Sequence, residues 1–147
     1  MEITIPNDVC YIDKFVKEMK KVSRKNNSFI SRLDNLVNAA RIGRSRDALK
    51  LDMPKQCDGF VVIEDRSLKI KSGSRSPGGG FRVVYAKHNH RIFMLDIYYK
   101  GNDESLTTDE RVAICKYVKT LKDGSWDGVF YHLAAPSFEA LGKSKFI

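Results

Sequence analysis

Two strand-like segments separated by five residues restrict this chain more than any other feature. Phe81 to Ala86 alternates, with Phe81, Val83 and Tyr85 on one face and Arg82, Val84 and Ala86 on the other. Ile92 to Tyr99 follows and is apolar on both faces, the pattern of a strand inside a sheet. Between them stands Lys87-His88-Asn89-His90, too short for a crossover helix, so the two strands must form an antiparallel hairpin. Upstream, Phe60 to Ile63 reads as a strand. Ser67 to Lys71 alternates too, with Leu68 and Ile70 on one face and Ser67, Lys69 and Lys71 on the other. Gly73 and Pro77-Gly78-Gly79-Gly80 mark a turn before the hairpin.

The flanks have helical periods. Residues 2–5 alternate like a short strand closed by Pro6, after which Asn7 or Asp8 is placed to cap a helix. Val9, Ile12, Phe15, Val16, Met19 and Val22 recur at spacings of three and four, with lysines on the other side. A second helix is expected through Phe29, Leu33, Leu36, Val37 and Ala40, stopping at Gly43. Residues 44–58 read as irregular. Thr107 or Thr108 caps a third helix whose apolar side holds Val112, Cys115 and Val118. The expected class is therefore α+β: an N-terminal short strand and helical pair packed on a small antiparallel sheet, then a helix and tail. Residues 1–121 read as one domain and 122–147 as a C-terminal extension packed on it. Helices on one face of the sheet would leave the other face open, carrying Lys69, Lys71 and Arg82.

Charge narrows the function. The 147 residues hold 26 Lys and Arg against 18 Asp and Glu, a net charge of +8. Such a surplus serves either an anionic partner or solubility. It is uneven. Residues 61–100 carry eight basic and three acidic side chains, and no acid lies between Asp65 and Asp96. A solvated face mixes signs, so this window reads as an anion site. The three cysteines are odd in number and far apart, without a CxxC pair. They argue against a zinc ribbon and a disulfide framework, and fit a reducing cytoplasm, with Cys115 a small core residue. No apolar run approaches the ~20 residues of a membrane helix, and no secretory leader is visible. His88 and His90 spell His-Asn-His, but their turn position fits surface histidines better than a nuclease motif.

At this point the sequence resembles the RelE/HigB-like toxins of bacterial type II toxin–antitoxin systems. The resemblance runs through Ser67-Leu-Lys-Ile-Lys71, a Gly/Ser-rich turn, Gly80-Phe-Arg-Val-Val-Tyr85, Ile92 to Lys100, and Asp103-Glu104-Ser-Leu. It covers about a third of the chain by motif. It implies an mRNA interferase: a ribosome-dependent endoribonuclease needing neither metal nor cofactor. In that reaction the 2′-hydroxyl attacks the neighbouring phosphodiester and a 2′,3′-cyclic phosphate is left. It also implies a cytoplasmic protein whose partners are a cognate antitoxin, mRNA and the ribosome.

Carried over by position, Lys69 and Lys71 match family lysines, one serving as base or phosphate holder. The plainer alternative for them is solvent-facing strand lysines that guard a sheet against edge pairing. Arg82 matches the arginine expected on the scissile phosphate. Tyr98 and Lys100 match the end of the last strand, where an acid or phosphate contact is expected. Arg75, Lys87 and Arg91 are the further RNA-binding candidates. Two other classes use similar surfaces: ParE-like toxins, which inhibit DNA gyrase without nuclease chemistry, and RNA-binding modules without catalysis.

Overall fold

The structure is a computed structural model. It describes residues 8–26, 28–54, 57, 59–68, 80–100, 106–122 and 129–132. The chain order is β1 (Asp8–Ile12), α1 (Asp13–Ser23), α2 (Phe29–Arg41), β2 (Ala48–Lys50), β3 (Val61–Asp65), β4 (Gly80–His88), β5 (Arg91–Lys100), α3 (Thr108–Lys122) and β6 (Val129–His132). The strands form one six-stranded sheet in the order β2-β3-β4-β5-β1-β6. β3 to β5 are an antiparallel meander, as expected; β2 adds a strand inside residues 44–58, which read as irregular, whereas Ser67 and Leu68 of the expected strand lie in none and 69–71 are outside the described residues. The sheet as a whole is mixed, because β1 lies parallel to β5, and β6 closes it antiparallel to β1. The architecture is α+β.

The hairpin turns at Asn89 and His90, with φ of 46° and 62°. Two consecutive left-handed residues match the right-handed twist of the flanking strands. Turning in two residues leaves Lys87 and His88 inside β4. A bulge between Val84 and Tyr85 inserts one extra residue in β5 and keeps the faces in phase on both sides of it. β5 is central, flanked by β4 and β1.

The first helix begins later than its periodicity predicts. Val9 to Ile12 form β1, and α1 starts at Asp13; Asn7 lies outside the described residues and Asp8 opens the strand instead of capping a helix. Val9, Cys10, Tyr11 and Ile12 are all buried. Burial on consecutive positions suits a strand covered on both faces, whereas a helix would turn some of them to solvent. Residues 2–5 lie outside the described residues. α2 ends where Gly43, at φ 70°, lets Arg44 N donate to Ala39 O and Gly43 N to Ala40 O. This is a Schellman close, which satisfies two terminal carbonyls. α3 opens on a reciprocal box: Glu110 N donates to Thr107 Oγ1 at 3.2 Å, and Thr107 N to Glu110 Oε1 at 2.9 Å.

α1 and α2 cover one face of the sheet. Phe29 of α2 meets Phe81 edge-on at 5.4 Å, and Phe81 meets Tyr99 at 5.3 Å. Tyr11 lies against Phe15. The other face is not open. Phe60, Val62, Glu64, Arg82, Val84 and Ala86 alternate onto it by register, and all are buried. α3 is tied to this side through the Cys57–Cys115 disulfide and through Arg111, whose Nη1 donates to Asp52 O at 2.9 Å. The disulfide corrects the expectation of unpaired cysteines. Cys115 is buried, but with Cys57 as its partner across 58 residues, and buried Cys10 is outside the disulfide. Among the described residues no helix is long and apolar enough to cross a membrane.

Candidate functional site

The register brings two of the expected site residues together. Arg82 of β4 is directly opposite Tyr98 of β5, and Gly80 is opposite Lys100. Direct cross-strand partners have Cβ atoms ~4.5–5.5 Å apart, so the guanidinium and the phenol share one face at one end of the sheet. Phe81 N donates to Leu68 O, which brings the chain just before Lys69 alongside β4. Lys69, Lys71 and Arg75 lie outside the described residues.

Arg82 is 4% exposed, so it is not the solvent-facing cation of an open sheet. It stands beside a carboxylate cluster. Glu64 of β3, fully buried, accepts a hydrogen bond from the Tyr98 hydroxyl on Oε1. On Oε2 it accepts Arg66 Nη2 at 3.0 Å and Nε at 3.2 Å. A buried carboxylate must be neutralised and hydrogen-bonded, and Arg66 and Tyr98 do both. Burial raises the Tyr98 phenol above its ordinary value, and the hydrogen bond and negative charge of Glu64 raise it further. Arg82 opposes that rise. Tyr98 is therefore held protonated, a donor beside a cation and a carboxylate. These are the parts that metal-free phosphodiester chemistry uses: a proton acceptor, a proton donor and positive charge for phosphate oxygens.

Asp65, the next residue, points to the opposite face and is equally buried. Its Oδ2 accepts from Ser45 Oγ and from Tyr85 Oη at 3.1 Å. Its Oδ1 accepts from Ser67 Oγ and from Ser67 N at 2.9 Å. Glu64 was missed from sequence, and Asp65 and Arg66 entered only as the edge of the acid-free window. The available signal was two acids closing an apolar strand, Val61-Val62-Ile63-Glu64-Asp65.

Lys87 and Arg91 sit elsewhere. Lys87 pairs with Val61 and Ile92, and Arg91 with His88, at the hairpin end of the sheet. Five residues of β4 separate Lys87 from Arg82, roughly 17 Å at ~3.4 Å per residue. Beside them His88 stacks on Phe60, ring centroids 4.7 Å apart, and His90 is exposed in the turn. Among the described residues no group of three or more His, Cys, Asp or Glu is placed to hold a metal ion. No family model, no curated protein and no solved structure matches the chain.

Proposed function

We propose that this chain is a RelE/HigB-like toxin, a metal-independent endoribonuclease that cuts mRNA on the ribosome and is held in check by a cognate antitoxin. The observation that carries the reading is the cross-strand pairing of Arg82 with Tyr98, with Glu64 behind the phenol. Arg82 supplies positive charge to the phosphate oxygens as negative charge accumulates at phosphorus. Tyr98 supplies a proton toward the leaving 5′-oxygen. Glu64 is a positioning residue that fixes the phenol. By resemblance, one of Lys69 and Lys71 takes the proton of the attacking 2′-hydroxyl, and the other completes the cation set with Lys100. The strand, helical pair, meander and helix follow the order that the resemblance implies.

Growth arrest and mRNA ends test the reading together. Wild type should arrest growth and leave new mRNA ends bearing 2′,3′-cyclic phosphates. Arg82→Lys and Tyr98→Phe should lower the cutting rate by roughly 10²-fold or more while keeping the fold, as judged by circular dichroism. Arrest with DNA breaks and no new mRNA ends would replace the nuclease with the gyrase-directed reading. RNA binding without cutting or arrest would leave a non-catalytic module.

A further inference from the structure

A second basic feature lies on the helical side of the sheet, away from Glu64 and Tyr98. A groove of about 490 Å³ runs between α2, the turn after it and the segment following β3. Arg32, Asn35, Leu36 and Ala39 line it from α2, at spacings that share one helix face. Arg44, Ser45, Arg46 and Asp47 line it from the turn, and Ser67 and Leu68 from the strand side. Arg32, Arg44 and Arg46 are exposed, and among the described residues none has a carboxylate partner.

The arginine turn is held rigid from three sides. The Schellman close of α2 sets its start. Ser45 is bonded to buried Asp65 and sits 3.1 Å from Ser67 Oγ, itself bonded to Asp65. Arg66 N donates to Asp47 O at 3.0 Å. Asp65 takes the serine protons inward, so the outward-facing polar groups are the three guanidiniums and the Asn35 amide, with one carboxylate, Asp47, beside them. Planar guanidiniums on a fixed frame fit phosphate oxygens two at a time. Among the described residues no aromatic ring lines the groove to serve as a platform for stacking bases. Its apolar members Leu36 and Leu68 are buried, 4% and 2% exposed, and offer little anchor for the apolar residues of a peptide.

We propose that this groove binds the phosphodiester backbone of RNA without reading its bases. The proposal rests on the ribonuclease reading for its choice of nucleic acid, and the groove lies on the other face of the sheet from Arg82 and Tyr98. Leu68, at one end of the groove, is hydrogen-bonded to Phe81, the neighbour of Arg82.

Binding of a labelled, uncleavable 2′-O-methyl RNA of about twelve nucleotides, within the size such grooves cover, tests it. The full chain is compared with Arg32→Gln/Arg44→Gln/Arg46→Gln and with a control of equal charge loss, Lys21→Gln/Arg24→Gln/Lys25→Gln. Arg32→Gln alone, on an exposed helix face, guards against misfolding of the triple variant. The groove variant should bind roughly tenfold or more weakly, with a salt slope shallower by about 2 for three lost single-strand contacts. The single variant should shift the slope by about 0.7, and the control should bind several-fold better than the groove triple. Equal losses in the two triple variants, or unchanged binding, would overturn the groove. So would loss of polyglutamate binding with RNA binding intact, which would mark an acidic peptide site. Cutting of unmodified mRNA on translating ribosomes is scored separately. A wild type that binds through the groove but cuts nothing upholds the groove and sinks the nuclease.

Discussion

At the scale of single residues, the molecule is organised by two adjacent buried carboxylates serving opposite faces of the sheet. Glu64 gathers Tyr98 and Arg66, and Asp65 gathers Ser45, Ser67 and Tyr85. Each holds a phenol as a donor, which has a consequence at high pH. The phenol of Tyr85 is raised by burial, then by the charge and hydrogen bond of Asp65, with Ser45 opposing. That of Tyr11 is raised by burial and by Asp34, with Arg41 opposing. In the unfolded chain both ionise near pH 10. Their contribution is therefore complete below pH 10 and falls as pH rises above it, because the folded state keeps protons that the unfolded state has lost. Each retained proton lowers the unfolding free energy by about 1.4 kcal/mol per pH unit in that range. Urea unfolding between about pH 9 and 11.5 should show this decline, and Tyr85→Phe should flatten it by one proton's worth. Tyrosinate absorbance that grows before the unfolding transition, with the full tyrosine count, would refute it.

At the scale of elements, α3 depends on a cross-link that its own sequence does not announce. Cys57 and Cys115 close a loop of 58 residues. Chain entropy alone makes such a closure worth up to about 4 kcal/mol. Oxidised protein should lose most of that on Cys115→Ser or on reduction, read from urea midpoints, and its unfolded form should titrate one thiol, Cys10. Three titratable thiols under non-reducing conditions would contradict the pairing. The pairing was illegible because the two cysteines meet only through tertiary packing, and their spacing matches no motif. Other elements were legible for a physical reason. Phe81, Val83 and Tyr85 alternate with Arg82, Val84 and Ala86 as the register requires, and Gly43 stops α2 through its φ. Val9 to Ile12 deceived because positions 9 and 12 also satisfy the helical spacing that Phe15, Val16 and Met19 continue. The acid-free window of residues 66–95 was real along the chain but not in space, since Glu64 pairs with Val84 and reaches Tyr98. The residue types of the site, Arg82 and Tyr98, were visible in sequence. Their pairing, and the acid behind them, needed the register.

At the scale of the whole molecule, the topology joins one local hairpin to a distant closure. β4 and β5 meet through a two-residue turn, whereas β1 must find β5 with Asp8 opposite Arg91, and β6 must find β1 with Val129 opposite Ile12. Loop-closure entropy disfavours the distant pairings until the local ones exist to receive them. The β4–β5 hairpin should therefore be formed in the folding transition state, and β1 should dock after it. Two substitutions separate these stages. His90→Gly relieves a non-glycine residue at φ 62° and stabilises the turn by roughly 0.5–1 kcal/mol. Val9→Ala removes buried methyl groups from β1 and costs about 2 kcal/mol. In denaturant-dependent kinetics His90→Gly should speed folding and hardly change unfolding, while Val9→Ala should speed unfolding and hardly change folding. If Val9→Ala instead slowed folding in proportion to its stability loss, β1 would belong to the nucleus. The parallel pairing at the centre of the sheet would then form early, against its loop entropy.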